Sequence, residues 1–192
     1  GFIKAVAGFV LAVAQKDLKL ILAYHTVSQV GLIMMGINMG GEQNFIGGVY
    51  HIVNHAFFKS TLFLTAGMVI DTYKTRNVYE IEGVFRRMPL VGIATIMAIL
   101  GITGAPFFNG SISKYWIAYG TGQTWAEYGL LLVNFGTILS FVKYSRIFFG
   151  GGAYPRESLS PIRERVVLGM GLACLLGGVL GGQLIGFLFD VD

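Results

Sequence analysis

The fold is decided by the stretch YHIVNHAFFK at residues 50–59, which lies inside a long apolar run over residues 45–70. His51, His55 and Lys59 recur at every fourth position and form one nearly straight row on an α-helix, because each step turns by only about 40°. Lys59 lies about 20 Å along this helix from the start of the run, near the middle of a bilayer. A lysine there costs about 2.5–3.5 kcal/mol on insertion scales, which makes Lys59 a candidate functional residue. The alternative role is a helix–helix hydrogen bond without ion transport.

The composition indicates an integral membrane protein. Of the 192 residues, 54% are hydrophobic and 12% are charged, and the mean hydropathy is +0.67. A soluble domain contains about 25% charged residues. The net charge of +4 does not indicate nucleic-acid binding, because the basic residues fall in the connections between apolar segments. The single cysteine, Cys174, excludes an internal disulfide.

The pattern predicts an all-α polytopic membrane protein with six transmembrane helices, the fourth of them discontinuous. Residues 89–119 are too long for one straight span of about 20 residues, and Pro106 between glycines should break that helix because proline has no amide donor. A cytoplasmic loop at 150–162 separates a five-helix unit, 1–149, from an additional C-terminal helix, 163–192. The five segments of the first unit are A (1–14), B (18–39), C (45–70), D (89–119, broken near 103–110) and E (125–149).

The distribution of basic residues predicts the orientation of these spans. Lysines and arginines occur in the connections 15–18, 72–88 and 150–162, whereas the opposite connections and the C-terminus contain none. The positive-inside rule then places these three loops in the cytoplasm and Glu42 and the C-terminus outside, in a multi-pass protein of the inner membrane. We expect no signal peptide before the first span, and we expect an upstream part of the polypeptide to be missing or to lie on another chain.

The polar groups inside the spans suit proton relay. Burial disfavours the charged form of lysine, so a buried lysine can exchange a proton near neutral pH, and histidine can do so without such burial. Lys114 lies beyond the break in segment D, where freed backbone groups can line a watery cavity. His25 lies in segment B and Lys143 in segment E. Lys114 and Lys143 have a second interpretation, in which their side chains snorkel to an interface.

Other chemistry has less support. His51 and His55 have the spacing of metal ligands, but no carboxylate or thiol lies nearby to complete a site. The sequence contains no nucleotide-binding motif and no cysteine cluster, so we expect no metal, no cofactor and no catalytic redox site in this chain. Glycines in the last segment give overlapping small-xxx-small spacings, which are typical of a packing face between helices.

Four motifs resemble one family. They are QKDLKLILAY at 15–24 with TVSQVG at 26–31, HAFFK at 55–59, GVFRRMP at 83–89, and GAPFFNGSISK at 104–114. In this order they are similar to the proton-conducting antiporter-like subunits of respiratory complex I, of membrane-bound hydrogenases and formate hydrogenlyases, and of Mrp-type Na⁺/H⁺ antiporters. The resemblance covers most of residues 8–150.

The resemblance implies one half of an inverted-repeat antiporter-like fold, with the first repeat absent. It implies that Lys59 is the central relay lysine, that His51 and His55 connect to it, and that Lys114 is the terminal lysine towards the outside. Lys143 matches a lysine of some members. His25 replaces the usual serine and adds a titratable group to segment B.

The leading hypothesis is therefore translocation of H⁺, with Na⁺ as the alternative ion, by a membrane subunit of a redox-driven pump of the NADH:quinone oxidoreductase or membrane-bound hydrogenase type. The alternatives are a non-conducting scaffold subunit of such a complex and part of a stand-alone Mrp-type antiporter. The expected partners are the lipid bilayer and other membrane subunits, including one that supplies the missing first repeat.

Overall fold

A computed structural model describes residues 1–120, 124–150, 157 and 159–189. Their regular structure is helical, apart from one isolated β-bridge between Asp17 and Asn77 and a 3-10 turn at Arg146–Phe148. In chain order the described helices are α1 (Phe2–Ala14), α2 (Leu18–Asn38), α3 (Glu42–Tyr73), α4 (Val84–Arg87), α5 (Pro89–Thr103), α6 (Asn109–Tyr119), α7 (Thr124–Ser145), α8 (Pro161–Val179) and α9 (Gly181–Phe189).

The connections at one end of the bundle bind each other. The Asp17 carboxylate caps α2 by accepting from the backbone amides of Lys19 and Leu20, at 2.8 and 3.1 Å. The same turn pairs with the loop after α3, where the Leu18 amide donates to the Arg76 carbonyl at 2.9 Å. The connections predicted at 15–18 and 72–88 therefore lie at the same end.

The loop after α7 reaches this end too. The Gly83 amide donates to the Phe149 carbonyl at 3.0 Å, and Arg87 forms an ion pair with Glu157 at 2.9 Å. Much of the predicted loop 150–162, namely 151–156 and 158, lies outside the described residues, as does the C-terminal end, 190–192.

The predicted segment D is two helices. α5 ends at Thr103, where Gly104 takes a left-handed conformation with φ of 74°, and α6 begins at Asn109. Pro106 lies in the non-helical stretch 104–108. A helix continuing through this point would need an amide proton from residue 106 for the Ile102 carbonyl, and proline has none.

The C-terminal segment, predicted as one helix, is also divided. α8 and α9 meet at Leu180 with a bend of 74°. Glycines on both sides of the bend lower the helix propensity of this region. The absence of a side chain at Gly178 lets α8 approach the non-helical stretch, since an added Cβ there would overlap the backbone of Phe107 and Phe108.

Two of the described helical segments are long and apolar enough to cross a membrane, α2 and the continuous stretch Trp125–Phe148. The bent pair α8–α9 adds a third if it is counted as one span. α1 and α5 are apolar but shorter, and α3, with 32 residues, buries several polar side chains. By length and composition the described residues thus contain two or three apolar spans, where the sequence predicts six.

The main core lies between α2, α3, α5 and α8, with Phe141 and Tyr144 of α7 added to it. α1 lies outside this core and packs against α2 through small residues, as in many helix pairs in lipid. A Cβ at Gly8 would lie 2.8 Å from Ser28 Cα, and the Ser28 hydroxyl donates to the Ala5 carbonyl at 2.8 Å.

Gly8→Val should therefore separate α1 from α2 and destabilise the protein by about 1–3 kcal/mol, the range for overpacking a close contact. The measurement is the unfolding midpoint of the purified protein in detergent. Gly67→Val is the matched control, because an added Cβ there meets no atom within 4 Å. Equal losses for the two variants would show that the α1–α2 approach is not tight.

Candidate functional site

The Lys114 ammonium lies at the break between α5 and α6. Its ammonium nitrogen donates to the Ile102 carbonyl at 2.6 Å and to Asn134 Oδ1 of α7 at 2.7 Å, and the residue is 3% exposed. The Ile102 carbonyl is the one that Pro106 leaves without a helical donor. The lysine thus takes the position of the missing amide, so the break and Lys114 form one structural unit. Lys114 lies inside the bundle rather than snorkelling to an interface.

Lys59 is the second buried lysine, at 7% exposed. Its ammonium nitrogen donates to the Leu22 carbonyl of α2, which also accepts from the Thr26 hydroxyl at 3.1 Å. The Phe63 ring, one turn further along α3, covers the ammonium at 5.0 Å from the ring centroid. Among the described residues, the hydrogen-bond partners of Lys59 and Lys114 are all neutral oxygens, and none is a carboxylate.

His51 lies between α2 and α6 and is fully buried. Its Nδ1 is 2.7 Å from the Ser113 hydroxyl of α6, and its Nε2 is 2.9 Å from Gln29 Oε1 of α2. Ser113 precedes Lys114 in the chain. The imidazole therefore joins α2 to the helix that carries the second lysine.

Two asparagines connect α3 to the start of α6. Asn54 Nδ2 donates to the Asn109 carbonyl at 2.9 Å and to the Ser113 hydroxyl at 3.2 Å, and Asn109 Nδ2 donates back to the Asn54 carbonyl at 3.4 Å. Sequence reasoning gave Asn54 no role. The available signal was an amide in an apolar run, since a polar side chain at that depth needs a partner.

His55 differs from its neighbours in the predicted row. It is half-buried, and its Nε2 is buried without a hydrogen-bond partner among the described residues. The Phe58 ring contacts both histidines, with centroid distances of 5.9 Å to His51 and 5.6 Å to His55. The structure brings His51 and Lys59 into the protein interior and leaves His55 at the edge of the buried face.

The other two predicted relay residues have different surroundings. His25 of α2 is fully buried, stacks on Phe141 at 4.8 Å between ring centroids, and has no hydrogen-bond partner for either ring nitrogen within the described part of the chain. Lys143 of α7 donates to the carbonyls of Val13 and Gln15 at the end of α1. A cation there satisfies carbonyls that the helix leaves unpaired and interacts favourably with the helix dipole.

The described residues contain no group of three or more His, Cys, Asp or Glu side chains that could hold a metal ion. The ion pair Arg87–Glu157 lies in the connections at the loop end of the bundle and involves neither buried lysine. The polar interior therefore consists of lysine, histidine, amide and hydroxyl groups, which can donate and accept protons or hydrogen bonds.

Known proteins with similar sequences have related membrane functions. A family model described as "NADH:quinone oxidoreductase/Mrp antiporter, TM" matches residues 1–141. A protein of Rhizobium meliloti, described as part of a probable K(+)/H(+) antiporter, is 32% identical over 199 residues, covering 97% of this chain and 20% of the relative. Formate hydrogenlyase subunit 3 of Escherichia coli is 27% identical over 215 residues, covering 96% of this chain and 35% of the relative.

The same fold occurs in a solved structure. A chain of the Mrp complex from a Dietzia species superposes with a TM-score of 0.89 at 23% identity, over 96% of this chain and 44% of that one. The described helices thus have the architecture of an antiporter-like membrane protein. The chain belongs to the NADH:quinone oxidoreductase/Mrp antiporter transmembrane family and is an integral membrane protein. It spans about a third or less of the length of the two relatives.

Asn134→Leu should weaken the site of Lys114, because the ammonium then keeps one acceptor. We expect a loss of about 1–3 kcal/mol, the range for leaving a buried donor unsatisfied. The same substitution in a Lys114→Met background should cost less. The measurement is the thermal midpoint of all four proteins in detergent.

Thr137→Val is the control for this pair of backgrounds, because the Thr137 hydroxyl of α7 bonds to the Val133 carbonyl of its own helix at 2.9 Å. Its effect should be the same with and without Lys114. Equal costs of Asn134→Leu in the two backgrounds would contradict the coupling between Asn134 and Lys114.

Proposed function

We propose that this chain translocates ions, with H⁺ as the favoured ion, through a relay of buried lysines and histidines. The observation that carries the proposal is that Lys59 and Lys114 are both buried and bind only neutral oxygens within the described residues. A carboxylate would hold the proton on its lysine through charge. Carbonyl and amide oxygens allow the site to exist with and without that proton, which a relay requires.

The relay that we propose begins at Lys59 and ends at Lys114. His51 and Ser113 support the second part of this route, because they connect α2 to the residue that precedes Lys114. His55 and His25 are the titratable groups that could serve the first part. Lys143 is the remaining lysine of the proposal and lies at the end of α1, where it donates to the carbonyls of Val13 and Gln15.

We propose six spans, with α5 and α6 together as one discontinuous fourth helix and α8 with α9 as the sixth span. Support comes from the loops after α1 and α3, which bind each other at one end. At the other end, Asn44 Nδ2 near the start of α3 donates to the Ile117 carbonyl near the end of α6, at 2.7 Å. In this arrangement the 15–18, 72–88 and 150–162 loops face the cytoplasm and the C-terminus faces outside.

The chain acts within a larger membrane complex in this proposal. Half-buried His55 lies beside an exposed apolar side of α3 that includes Ile52, three residues before it. We propose that the complementary first repeat, on an upstream segment or another polypeptide, covers this surface. The formate hydrogenlyase relative favours a redox-driven pump, and the K(+)/H(+) antiporter relative favours the second candidate, part of an antiporter without a redox step.

Lys59→Ala should abolish ion pumping while leaving assembly of the complex largely intact. Lys59→Arg should fail as well, because a guanidinium does not release its proton in the working pH range. The measurement is pumping by the whole complex in sealed vesicles, with subunit content determined on the same preparation.

Lys16→Ala is the control, since Lys16 is an exposed lysine of the α1–α2 turn and lies outside the relay. It should pump at the wild-type rate. Normal pumping by a fully assembled Lys59→Ala complex would favour the non-conducting scaffold over the relay.

The orientation is tested by cysteine labelling in a Cys174→Ala background. Lys74→Cys, in the exposed loop after α3, should react with an impermeant thiol reagent from the cytoplasmic side, and Glu42→Cys should react from the opposite side. Labelling of position 42 from the cytoplasm would refute the six-span arrangement.

A further inference from the structure

Gln29 is a fully buried amide on the face of α2 that meets His51. Its Oε1 lies 2.9 Å from His51 Nε2, while its Nε2 has no hydrogen-bond partner among the described residues. The amide oxygen therefore contacts His51 of the proposed relay, whereas the amide nitrogen contacts no hydrogen-bond partner among the described residues. A buried amide nitrogen without a partner needs an explanation, because leaving it unpaired costs about 1–3 kcal/mol.

The engaged half determines which ring nitrogen of His51 carries the proton. An amide oxygen has no proton to give, so His51 Nε2 must be the donor in this contact. In the neutral imidazole Nδ1 is then the acceptor, and it receives the Ser113 hydroxyl proton at 2.7 Å. Gln29 thus selects the Nε2–H tautomer of His51, because the hydrogen bonds of a histidine ring determine which nitrogen carries the proton.

The selected tautomer is the one that remains after a proton has passed from the α2 side to the α6 side. In that passage Nε2 takes up a proton, Nδ1 gives its own proton to Ser113 Oγ, and Ser113 gives its hydroxyl proton onward towards Lys114. His51 is left with Nε2–H and a free lone pair on Nδ1. A second proton cannot enter from the α2 side until a ring nitrogen with a free lone pair faces that side again.

We propose that Gln29 is a positioning residue that resets His51 by rotating its amide by about 180°. The proton on Nε2 stays on its nitrogen, and a half-turn of the His51 ring about its Cβ–Cγ bond carries it to the Ser113 side. The same half-turn brings the Nδ1 lone pair to the Gln29 side, where the rotated amide donates its N–H to it. Gln29 Nε2 has no hydrogen-bond partner among the described residues, so the rotation breaks none of its hydrogen bonds there. This inference rests on the proposed relay and adds the step that lets it turn over repeatedly.

The α2 side offers a proton source for the Nε2 position. His25 lies one turn before Gln29 on the same helix, at a Cβ spacing of about 5–6 Å for i, i+4 residues, and both of its ring nitrogens lack a described partner. Leu22, which accepts from Lys59, lies about one turn before His25. A buried water bound by these nitrogens would connect Lys59 to His51 along α2, since such waters bind otherwise unsatisfied polar groups.

The test compares Gln29→Glu and Gln29→Met in the assembled complex at alkaline pH, with pumping in vesicles as the readout. The introduced carboxylate keeps an acceptor for His51 Nε2–H but cannot present a donor after rotation, and methionine keeps the volume without polar atoms. We expect both variants to pump at least tenfold more slowly than wild type. Gln43→Met, an exposed glutamine of α3, should not change the rate.

Wild-type pumping by Gln29→Glu would overturn the proposal, because a hydrogen bond to one tautomer would then suffice. A second readout is the ¹⁵N spectrum of the His51 ring in the labelled complex. Wild type should show mainly Nε2–H, and Gln29→Met should show a larger Nδ1–H population. An unchanged spectrum would overturn the tautomer assignment. Pumping by Lys59→Ala reports separately on the relay, so its failure can be told apart from that of Gln29.

Discussion

The structure depends on one missing amide proton. Pro106 cannot donate to the Ile102 carbonyl, and at the depth of a membrane an unpaired carbonyl costs several kcal/mol unless another donor is found. Lys114 supplies that donor at 2.6 Å. The same contact gives the lysine a polar site that hydrocarbon would not provide. A backbone defect and a buried cation therefore stabilise each other, and neither would be favourable alone at this position.

The helices around the break are arranged to preserve this site. The side-chain amide of Asn54 in α3 donates to the first turn of α6. Asn134 of α7 gives Lys114 its second acceptor at 2.7 Å. Glycines of α8 admit the irregular backbone, and the Tyr50 hydroxyl of α3 donates to the Gly177 carbonyl at 3.0 Å. These partners are neutral, so they fix geometry without adding charge that would hold a proton on the lysine.

Sequence reasoning predicts a break near Pro106 because proline and glycine act locally, and it predicts that Lys59 and Lys114 are candidates because their depth is unusual. It predicts orientation around a helix less well. The buried face of α3 is centred near Asn54 and Phe58. Each four-residue step turns about 40° from His51, so His55 reaches the edge, and Lys59 is buried because its long side chain extends back to α2. The Gln29–His51 contact joins two helices, and helical spacing within either one cannot predict it.

The bend at Leu180 and the position of Lys143 show a second limit, since both depend on what packs nearby. The glycine-rich end of α8 could continue as a helix in lipid. In this structure it packs against the irregular stretch before α6 and bends at Leu180. Lys143 has the depth expected for snorkelling, yet it binds the carbonyls that end α1. In both cases backbone outside a regular helix determines where the neighbouring groups lie. Its N–H and C=O groups lack helical partners and require other ones. The same requirement applies to the buried nitrogens of His25 and Gln29, which have no hydrogen-bond partner among the described residues. In the relay that we propose, these nitrogens are the places where water and protons would enter.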